Sequence, residues 1–322
     1  MRNAGKWIIA AVVLLILGLV VCGAALGMLG FDFKNLGTVK YVTRTYDAPA
    51  DFRNIRIDAY TEDIAFVLSD DGKCSVVCRE EENDPTEVSV QGDTLTIGKK
   101  ARHGWTFMNI GVVTETPSIT VYLPGSEYAA LTVDADTGDV EIPEDFSFES
   151  INVSLDTGDV RCLAPAEGDI AIETSTGHIS VSDLTAAEMR LTTDTGRVEL
   201  SKADIKGSLE IRVSTGRVTL ENVTCSDLTS DGDTGRLIMT NVVMPGDLHL
   251  ERSTGDIELN GCDAGSITIK TDTGDVSGTL LTEKVFITES DTGKIDVPHT
   301  VTGGTCEIST DTGDITIRMA ND

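Results

Sequence analysis

One short motif, Thr-Gly preceded by Asp or Ser, recurs along most of the chain, as in Ser175-Thr176-Gly177-His178-Ile179, Asp194-Thr195-Gly196-Arg197-Val198 and Ser214-Thr215-Gly216-Arg217-Val218. Ten copies occur, at intervals of 19 or 20 residues. The glycines of the ten copies are Gly138, Gly158, Gly177, Gly196, Gly216, Gly235, Gly255, Gly274, Gly293 and Gly313. A fixed period of this length indicates a repeat architecture, in which each copy buries its apolar face against its neighbours.

Alignment on these glycines shows which residues each copy buries. The second residue after the glycine is aliphatic in all ten copies: Val140, Val160, Ile179, Val198, Val218, Leu237, Ile257, Val276, Ile295 and Ile315. The seventh residue before it is apolar in all ten: Leu131, Ile151, Ile170, Met189, Leu209, Leu228, Leu248, Ile267, Phe286 and Cys306. Apolar residues alternate by two within each half of the repeat, which is the period of a strand with one buried face. The parity changes across the motif, which predicts a turn there, with glycine supplying a positive φ.

Two architectures fit this pattern, a β-solenoid of stacked coils and an antiparallel meander of hairpins. The solenoid is favoured, because stacking equivalent positions about 4.8 Å apart explains why every copy keeps the same residues at the same place. We therefore predict an all-β fold, a β-solenoid resembling a parallel β-helix, with about ten coils of ~19.5 residues on average. It occupies residues 131–322, and residues 32–130 form an N-terminal β module that caps it and spaces it from the membrane. No second cap is evident at the C-terminal end.

The first part of the chain is different in composition. Residues 7–31 contain no charged side chain and are mostly aliphatic. This run is long enough for a helix that spans a membrane. Arg2 and Lys6 precede this run, so the positive-inside rule places the N-terminus in the cytoplasm. Residues 1–31 are thus predicted to be a leader and a single-pass anchor in the cytoplasmic membrane, with the C-terminal domain outside. A cleaved signal peptide and lipidation at Cys22 remain alternatives.

The net charge is −28, from 25 basic and 53 acidic residues. This surplus argues against nucleic acid as a partner, because phosphate binding needs Lys and Arg. It also argues against docking on anionic lipid through a basic patch. A basic and aromatic stretch, residues 99–105, is interpreted as a solvated loop.

Stacking the motif brings carboxylates together at the corner of each coil. Two interpretations are open: a solvated acidic corner, or a shared Ca²⁺ site, since paired carboxylates suit a hard cation. In the middle of the array Ser, His and Arg interrupt the acidic positions, so calcium is predicted only towards the ends. The candidate ligands are Asp136, Asp139, Asp156, Asp159, Asp272, Asp275, Asp311 and Asp314. No other cofactor is predicted, and the four histidines show no zinc-ligand spacing.

The order of segments resembles a known family. Strand-like stretches at residues 54–68, 88–97 and 119–124 precede the Asp-Thr-Gly-Asp-Val series. This arrangement is similar to the bacterial family of adhesin-like β-strand-repeat envelope proteins of the DUF4097 type, which includes LiaG-like proteins. The resemblance covers about residues 45–322. It implies a β-solenoid outside the cytoplasmic membrane with a link to adhesion or envelope stress, and it supplies no catalytic residues.

Catalysis is not predicted. Asp-Thr-Gly is also the tripeptide of aspartic proteases, but these enzymes need two carboxylates that share one proton, whereas ten copies spread along a rod form no such pair. Six cysteines lie outside the apolar N-terminal run, and buried free thiols are the expectation for them, although one disulfide is an alternative. We predict a non-enzymatic, membrane-anchored scaffold or adhesin-like surface for an unidentified envelope protein or glycan. The alternative is a β-helix lyase or hydrolase that acts on polysaccharide.

Overall fold

The computed structural model describes residues 40–99 and 116–320, together with Leu14, Leu15 and Gly18. These three positions are helical, whereas the two long ranges contain strands, turns and bends and no helix. None of the helical structure that is described is long and apolar enough to cross a membrane. The span predicted for residues 7–31 lies almost entirely outside the described residues and stays a prediction.

The described residues form 24 strands joined in one sheet. The N-terminal part contains β1 (Tyr41–Ala48), β2 (Asn54–Ala59), β3 (Asp63–Leu68), β4 (Cys74–Glu81), β5 (Glu87–Gln91), β6 (Thr94–Gly98) and β7 (Ser118–Leu123). The repeats begin with β8 (Glu127–Thr137), β9 (Val140–Ile142), β10 (Ser147–Thr157), β11 (Val160–Cys162), β12 (Ile170–Ala186), β13 (Met189–Ile205) and β14 (Ser208–Thr224). They continue with β15 (Asp227–Thr234), β16 (Leu237–Val243), β17 (Asp247–Thr254), β18 (Ile257–Cys262), β19 (Ser266–Thr273) and β20 (Val276–Leu280). The last strands are β21 (Lys284–Thr292), β22 (Ile295–Asp296), β23 (Gly304–Thr312) and β24 (Ile315–Met319).

The repeats stack in parallel and in register, which confirms the solenoid and excludes the meander of hairpins. Thr176 pairs with Thr195, and Thr195 with Thr215, so each copy of the motif lies on its neighbour. The coils of β12, β13 and β14 each direct three stretches of apolar side chains inwards. In β13 these buried residues are Met189, Leu191, Val198, Leu200, Ala203 and Ile205. The core is therefore a set of aliphatic ladders that runs along the rod.

The Thr-Gly motif forms one corner of each coil, which we call the Thr-Gly corner. In β12, β13 and β14 the strand continues through this corner, so the tight turn expected there does not interrupt the strand. Gly216 has the expected positive φ, at 152°. A Cβ atom on Gly216 would overlap the carbonyl of Gly196 in the adjacent coil. Glycine is thus required as much by the approach of the next backbone as by its own conformation.

A second corner follows six residues after the glycine, and sequence reasoning missed it. The residues there adopt left-handed φ values near 55°, as at Asp183 (57°), Lys202 (51°), Asn222 (55°) and Asn241 (54°). Gly261 occupies the same place with φ 63°. Asn, Asp and Gly tolerate this conformation best, so the residue types at this position carried the signal.

The N-terminal part contributes coils of its own as well as a cap. β2 pairs in parallel with β8, and β3 with β9, so residues 54–68 form one more coil of the solenoid. β6 and β7 form the coil beyond it. Antiparallel strands then cover this end, since β5 pairs with β6, β4 with β7, and β1 with β4. The predicted cap is thus limited to these three strands, and the predicted boundary between residues 130 and 131 falls inside β8.

The stacking order departs from chain order at both ends. The coil of β2 and β3 lies between the coil of β6 and β7 and that of β8 and β9. At the other end β23 pairs with both β19 and β21, and β24 with both β20 and β22. The coil formed by β21 and β22, which we call the terminal coil, therefore ends the rod, although the chain continues through another coil after it.

The terminal coil is open to solvent. Among the described strands, β21 pairs only with β23 and β22 only with β24, so the outer edge of this coil has no partner strand. Nine of the ten aliphatic residues that follow the corner glycines are buried, and the exception is Ile295, which is 44% exposed. Five exposed large apolar side chains cluster in this part of the chain, namely Leu281, Val285, Ile287, Ile295 and Val301.

The six described cysteines are free and buried, as the sequence predicted, and lie at Cys74, Cys78, Cys162, Cys225, Cys262 and Cys306. Burial raises the pKa of the Cys162 thiol to about 12. These thiols are held in their protonated form and behave as small apolar side chains.

Candidate functional site

The aspartates that follow the corner glycines form a ladder of hydrogen bonds along the rod. Asp139 Oδ1 accepts a hydrogen bond from the backbone N–H of Asp159 at 2.8 Å, and Asp159 Oδ1 accepts one from the N–H of His178 at 2.8 Å. The same bond recurs at the C-terminal end, from Asp314 N–H to Asp275 Oδ1 and from Lys294 N–H to Asp314 Oδ1. Each of these carboxylates therefore binds the backbone of the next coil.

All eight aspartates predicted to bind calcium are exposed at the Thr-Gly corners. Asp139, Asp159, Asp275 and Asp314 are the ladder acceptors just described. Among the described residues, these eight do not form a set of three carboxylates with oxygens within 4.8 Å of one another. Calcium binding at the ends of the rod stays a prediction.

Basic side chains relieve the acidic ladder in the middle of the rod, as the sequence indicated. The Arg236 guanidinium lies 3.0 Å from the Asp256 carboxylate. Its hydrogen bond, together with the N–H of Asp275, lowers the pKa of Asp256. The attraction between opposite charges in adjacent coils thus takes the place of the repulsion between two stacked carboxylates.

Lys99 is the one residue of the predicted solvated loop, residues 99–105, that is described, and for this residue the prediction is wrong. The prediction for residues 100–105 lies outside the described residues. Its side chain is mostly buried, and Lys99 Nζ lies 2.7 Å from Glu62 Oε1. Burial disfavours the Glu62 carboxylate, but hydrogen bonds from Lys99 and from the N–H groups of Tyr60 and Thr61 outweigh it and lower its pKa. Glu62 occupies the place of the corner glycine in its coil, where its carbonyl faces Gly138.

A cavity of about 440 Å³ lies beside the acidic ladder near the N-terminal end. Its lining includes Asp63, Asp139, Asp159, Arg161 and His178. Asp63 Oδ1 accepts a hydrogen bond from the N–H of Asp139 at 3.0 Å, so all three of these aspartates belong to the ladder. These three aspartates therefore follow the register of the repeat and have a structural role, whereas the fourth acid of the cavity, Glu141, lies 3.8 Å from Arg161.

Sequence reasoning missed a cluster that the structure does assemble. Asp231, His249 and Glu251 each offer a ligand atom, and these atoms lie within 4.8 Å of one another. Asp231 and Glu251 are both four residues before a corner glycine, so the repeat alignment already placed them side by side. Spacing rules for zinc motifs overlooked the cluster because its members are brought together by stacking and not by local sequence.

Comparison with known proteins identifies the family. No curated protein sequence matches this chain significantly. The chain is distantly similar to several solved structures. A candidate adhesin from Bacteroides fragilis NCTC 9343 is 14% identical with a TM-score of 0.40, covering 87% of this chain and 97% of its own. A candidate adhesin from Parabacteroides distasonis ATCC 8503 is 15% identical with a TM-score of 0.41, covering 85% of this chain and 98% of its own.

These likenesses are too distant to indicate what this chain binds. The family model described as Toastrack DUF4097 matches residues 52–212 and 197–322. This match confirms the resemblance that the order of strands and repeats indicated. The chain belongs to the Toastrack DUF4097 family.

Proposed function

We propose that this protein is a non-enzymatic, membrane-anchored rod outside the cytoplasmic membrane, which acts as a scaffold or adhesin-like binding surface of the cell envelope. The observation that carries the proposal is the recurring structural role of the corner aspartates, whose carboxylates bond to the backbone of the next coil. In the 440 Å³ cavity, Asp63, Asp139 and Asp159 bond to the backbone of the next coil in the register of the repeat, and the fourth acid, Glu141, lies 3.8 Å from Arg161. A glycan hydrolase needs instead two carboxyl groups that converge on one bond from different environments.

The proposed anchor rests on the sequence. Residues 7–31 carry no charge, and Arg2 and Lys6 precede them. Such a run holds its N-terminus in the cytoplasm and carries the C-terminal part of the chain to the other side. Protease added to cells stripped of their outer layers, with an intact cytoplasmic membrane, should therefore degrade the repeat region of the full-length chain, whereas a cytoplasmic control protein stays intact. Full protection in these stripped cells, with cleavage after lysis, would contradict the proposed location.

The proposed activity is tested by mixing the detergent-solubilised full-length chain with purified cell-envelope fragments. We expect the folded chain to sediment with the fragments and to release no reducing sugar ends. A heat-unfolded sample should neither sediment with the fragments nor release sugar ends. Release of sugar ends above that of the unfolded sample would overturn the proposal in favour of the polysaccharide-cleaving alternative. A folded chain that does not sediment with the fragments would contradict a binding role.

A further inference from the structure

The outward face of β15 and β17 places three metal-ligating side chains together. The strands are adjacent and parallel, with Asp231 opposite Glu251 and Thr229 opposite His249. His249 and Glu251 are two residues apart, so both side chains lie on the same face of β17. Asp231 and His249 are half-buried and Glu251 is exposed. Two rigid strands therefore present one imidazole and two carboxylates at a surface that solvent and ions can reach.

We propose that Asp231, His249 and Glu251 form a binding site for a divalent cation of the Zn²⁺ class. The imidazole decides the class, because Zn²⁺ accepts nitrogen and oxygen ligands together, whereas Ca²⁺ and Mg²⁺ take oxygen ligands. Their ligand atoms, all within 4.8 Å of one another, need only small side-chain rotations to reach the ~2.0–2.2 Å bonds of a zinc site. Three protein ligands leave a fourth position open for water.

The charges around the cluster support a cation. Asp231 and Glu251 are direct partners across the strands, and like charges in this arrangement repel. Arg212 lies opposite Asp231 on β14, but its guanidinium is 2.5 Å from Glu210. Arg252 points into the core, where it hydrogen-bonds Ser230. Arg252 also donates to the backbone carbonyl of Glu251, at 2.6 Å. Neither guanidinium therefore hydrogen-bonds a side chain of the outward-facing cluster.

Lys270 is the competing cation. Its Nζ lies 3.6 Å from Glu251 Oε1, and at least half of each side chain is exposed. An exposed ion pair of this length contributes little, so a metal ion can displace it. Removing the Lys270 charge should therefore tighten metal binding, whereas removing any of the three ligands should weaken it.

The imidazole is also unique at its place in the repeat. His249 is six residues before its corner glycine, and the residues in register with it on the neighbouring coils are Thr229 and Thr268. A threonine at position 249 would continue this ladder without changing the fold. His249→Thr is therefore a variant that removes the nitrogen ligand while keeping the strand surface that its neighbours already have.

The test is calorimetric titration of the untagged full-length chain with ZnCl₂ alone in a non-chelating buffer. We expect one Zn²⁺ per chain, and binding about tenfold or more weaker in His249→Thr, in Asp231→Asn and in Glu251→Gln. Lys270→Met should bind more tightly than the wild type. His178→Ala removes a histidine at the acidic ladder and should leave the affinity unchanged. CaCl₂ should not compete for the site.

A second readout uses Co²⁺, whose visible absorption reports nitrogen and oxygen ligation. The band expected for the wild type should disappear in His249→Thr and persist in His178→Ala. Absence of a Zn²⁺ heat and of a Co²⁺ band in the wild type would overturn the proposal. So would equal affinities of His249→Thr and the wild type, provided that melting curves without metal show both chains folded.

Discussion

The Asp159 carboxylate accepts a hydrogen bond from the backbone N–H of His178, one coil further along the rod, at 2.8 Å. An asparagine can keep this bond through its side-chain carbonyl, whereas an alanine cannot. We expect Asp159→Asn to stay within about 0.5 kcal/mol of the wild type in free energy of unfolding, and Asp159→Ala to lose about 1 kcal/mol. Urea denaturation followed by circular dichroism measures both.

Asp156 is the control for this prediction, because it is exposed at the same corner and its carboxylate is not an acceptor in the ladder of hydrogen bonds. Asp156→Ala should change the stability by less than about 0.5 kcal/mol. A loss in Asp156→Ala as large as that in Asp159→Ala would show that corner charge, and not the ladder, decides the stability.

Gly216 illustrates the steric requirement at the Thr-Gly corner. A Cβ atom there would overlap the carbonyl of Gly196, and a rigid backbone in the adjacent coil cannot move aside. We expect Gly216→Ala to cost about 4 kcal/mol or more, or to prevent folding. Gly72 also has a positive φ, at 68°, but meets no atom within 4 Å. Gly72→Ala should therefore cost only about 1–2 kcal/mol, and equal losses in thermal melting would refute the explanation.

The ion pair between Glu62 and Lys99 predicts a pH dependence. The pKa of Glu62 is lowered in the folded protein, so its contribution to stability is present above the unfolded pKa of about 4.3 and is lost as the pH falls through the lower folded value. Glu62→Gln should remove this contribution and leave the mostly buried Lys99 with only its longer ion pair to Asp84, at 3.6 Å. We expect this to cost about 1.5–3 kcal/mol at neutral pH.

The measurement compares unfolding free energies of the wild type and Glu62→Gln from pH 7 down to pH 3. The difference between them should shrink as the pH falls below about 4.3. Asp71→Asn is a suitable control, because hydrogen bonds from Ser69 and Lys73 lower the pKa of Asp71 while its side chain is exposed. A pH-independent difference for Glu62→Gln would contradict the assignment.

The inverted stacking order predicts the effect of a truncation. A chain that ends after Gly303 lacks β23 and β24, which are the sheet partners of β21 and β22. We expect the backbone amides of residues 284–296 to lose their protection against hydrogen exchange, while those of β17 and β18 keep theirs. Retained protection of residues 284–296 would show that the terminal coil can stack directly on β19 and β20.

Calcium binding by the corner aspartates would stabilise the folded protein. Millimolar Ca²⁺ must raise the melting temperature of the wild type, because a ligand that binds only the folded state stabilises it. The double variant Asp272→Asn, Asp275→Asn should reduce the shift, since it removes one of the predicted pairs of ligands. No shift in the wild type would refute calcium binding at these corners.

The repeat made much of the fold predictable. A constant residue at a constant interval determines both the coil length and the register, and the alignment of Val198 and Ile179 with their counterparts identified the core in advance. The coil at residues 54–68 escaped notice because it has Glu62 where the ten copies of the motif have glycine, although Thr61 keeps the threonine of the motif.

The stacking order at the two ends could not be predicted, because the coils are too similar to one another. Nearly identical coils offer nearly identical edges, so the sequence alone does not show that Thr271 pairs with Thr310 and not with Ser290. The cluster around His249 was hidden because long-range stacking, and not sequence spacing, brings it together. Local patterns thus predict a coil, whereas the choice of neighbour depends on the packing of whole coils.

The position of the last coil constrains how this rod can lengthen by gene duplication. The coil of β23 and β24 already has a neighbour on each side, so a repeat copied after Met319 would find no free edge beside its parent. It could pair only with the outer edge of the terminal coil, and the chain would have to cross over that coil to reach it. Duplication within residues 131–280, where chain order and stacking order agree, adds a coil without disturbing either end, and the interior of the array is therefore where changes in length are tolerated.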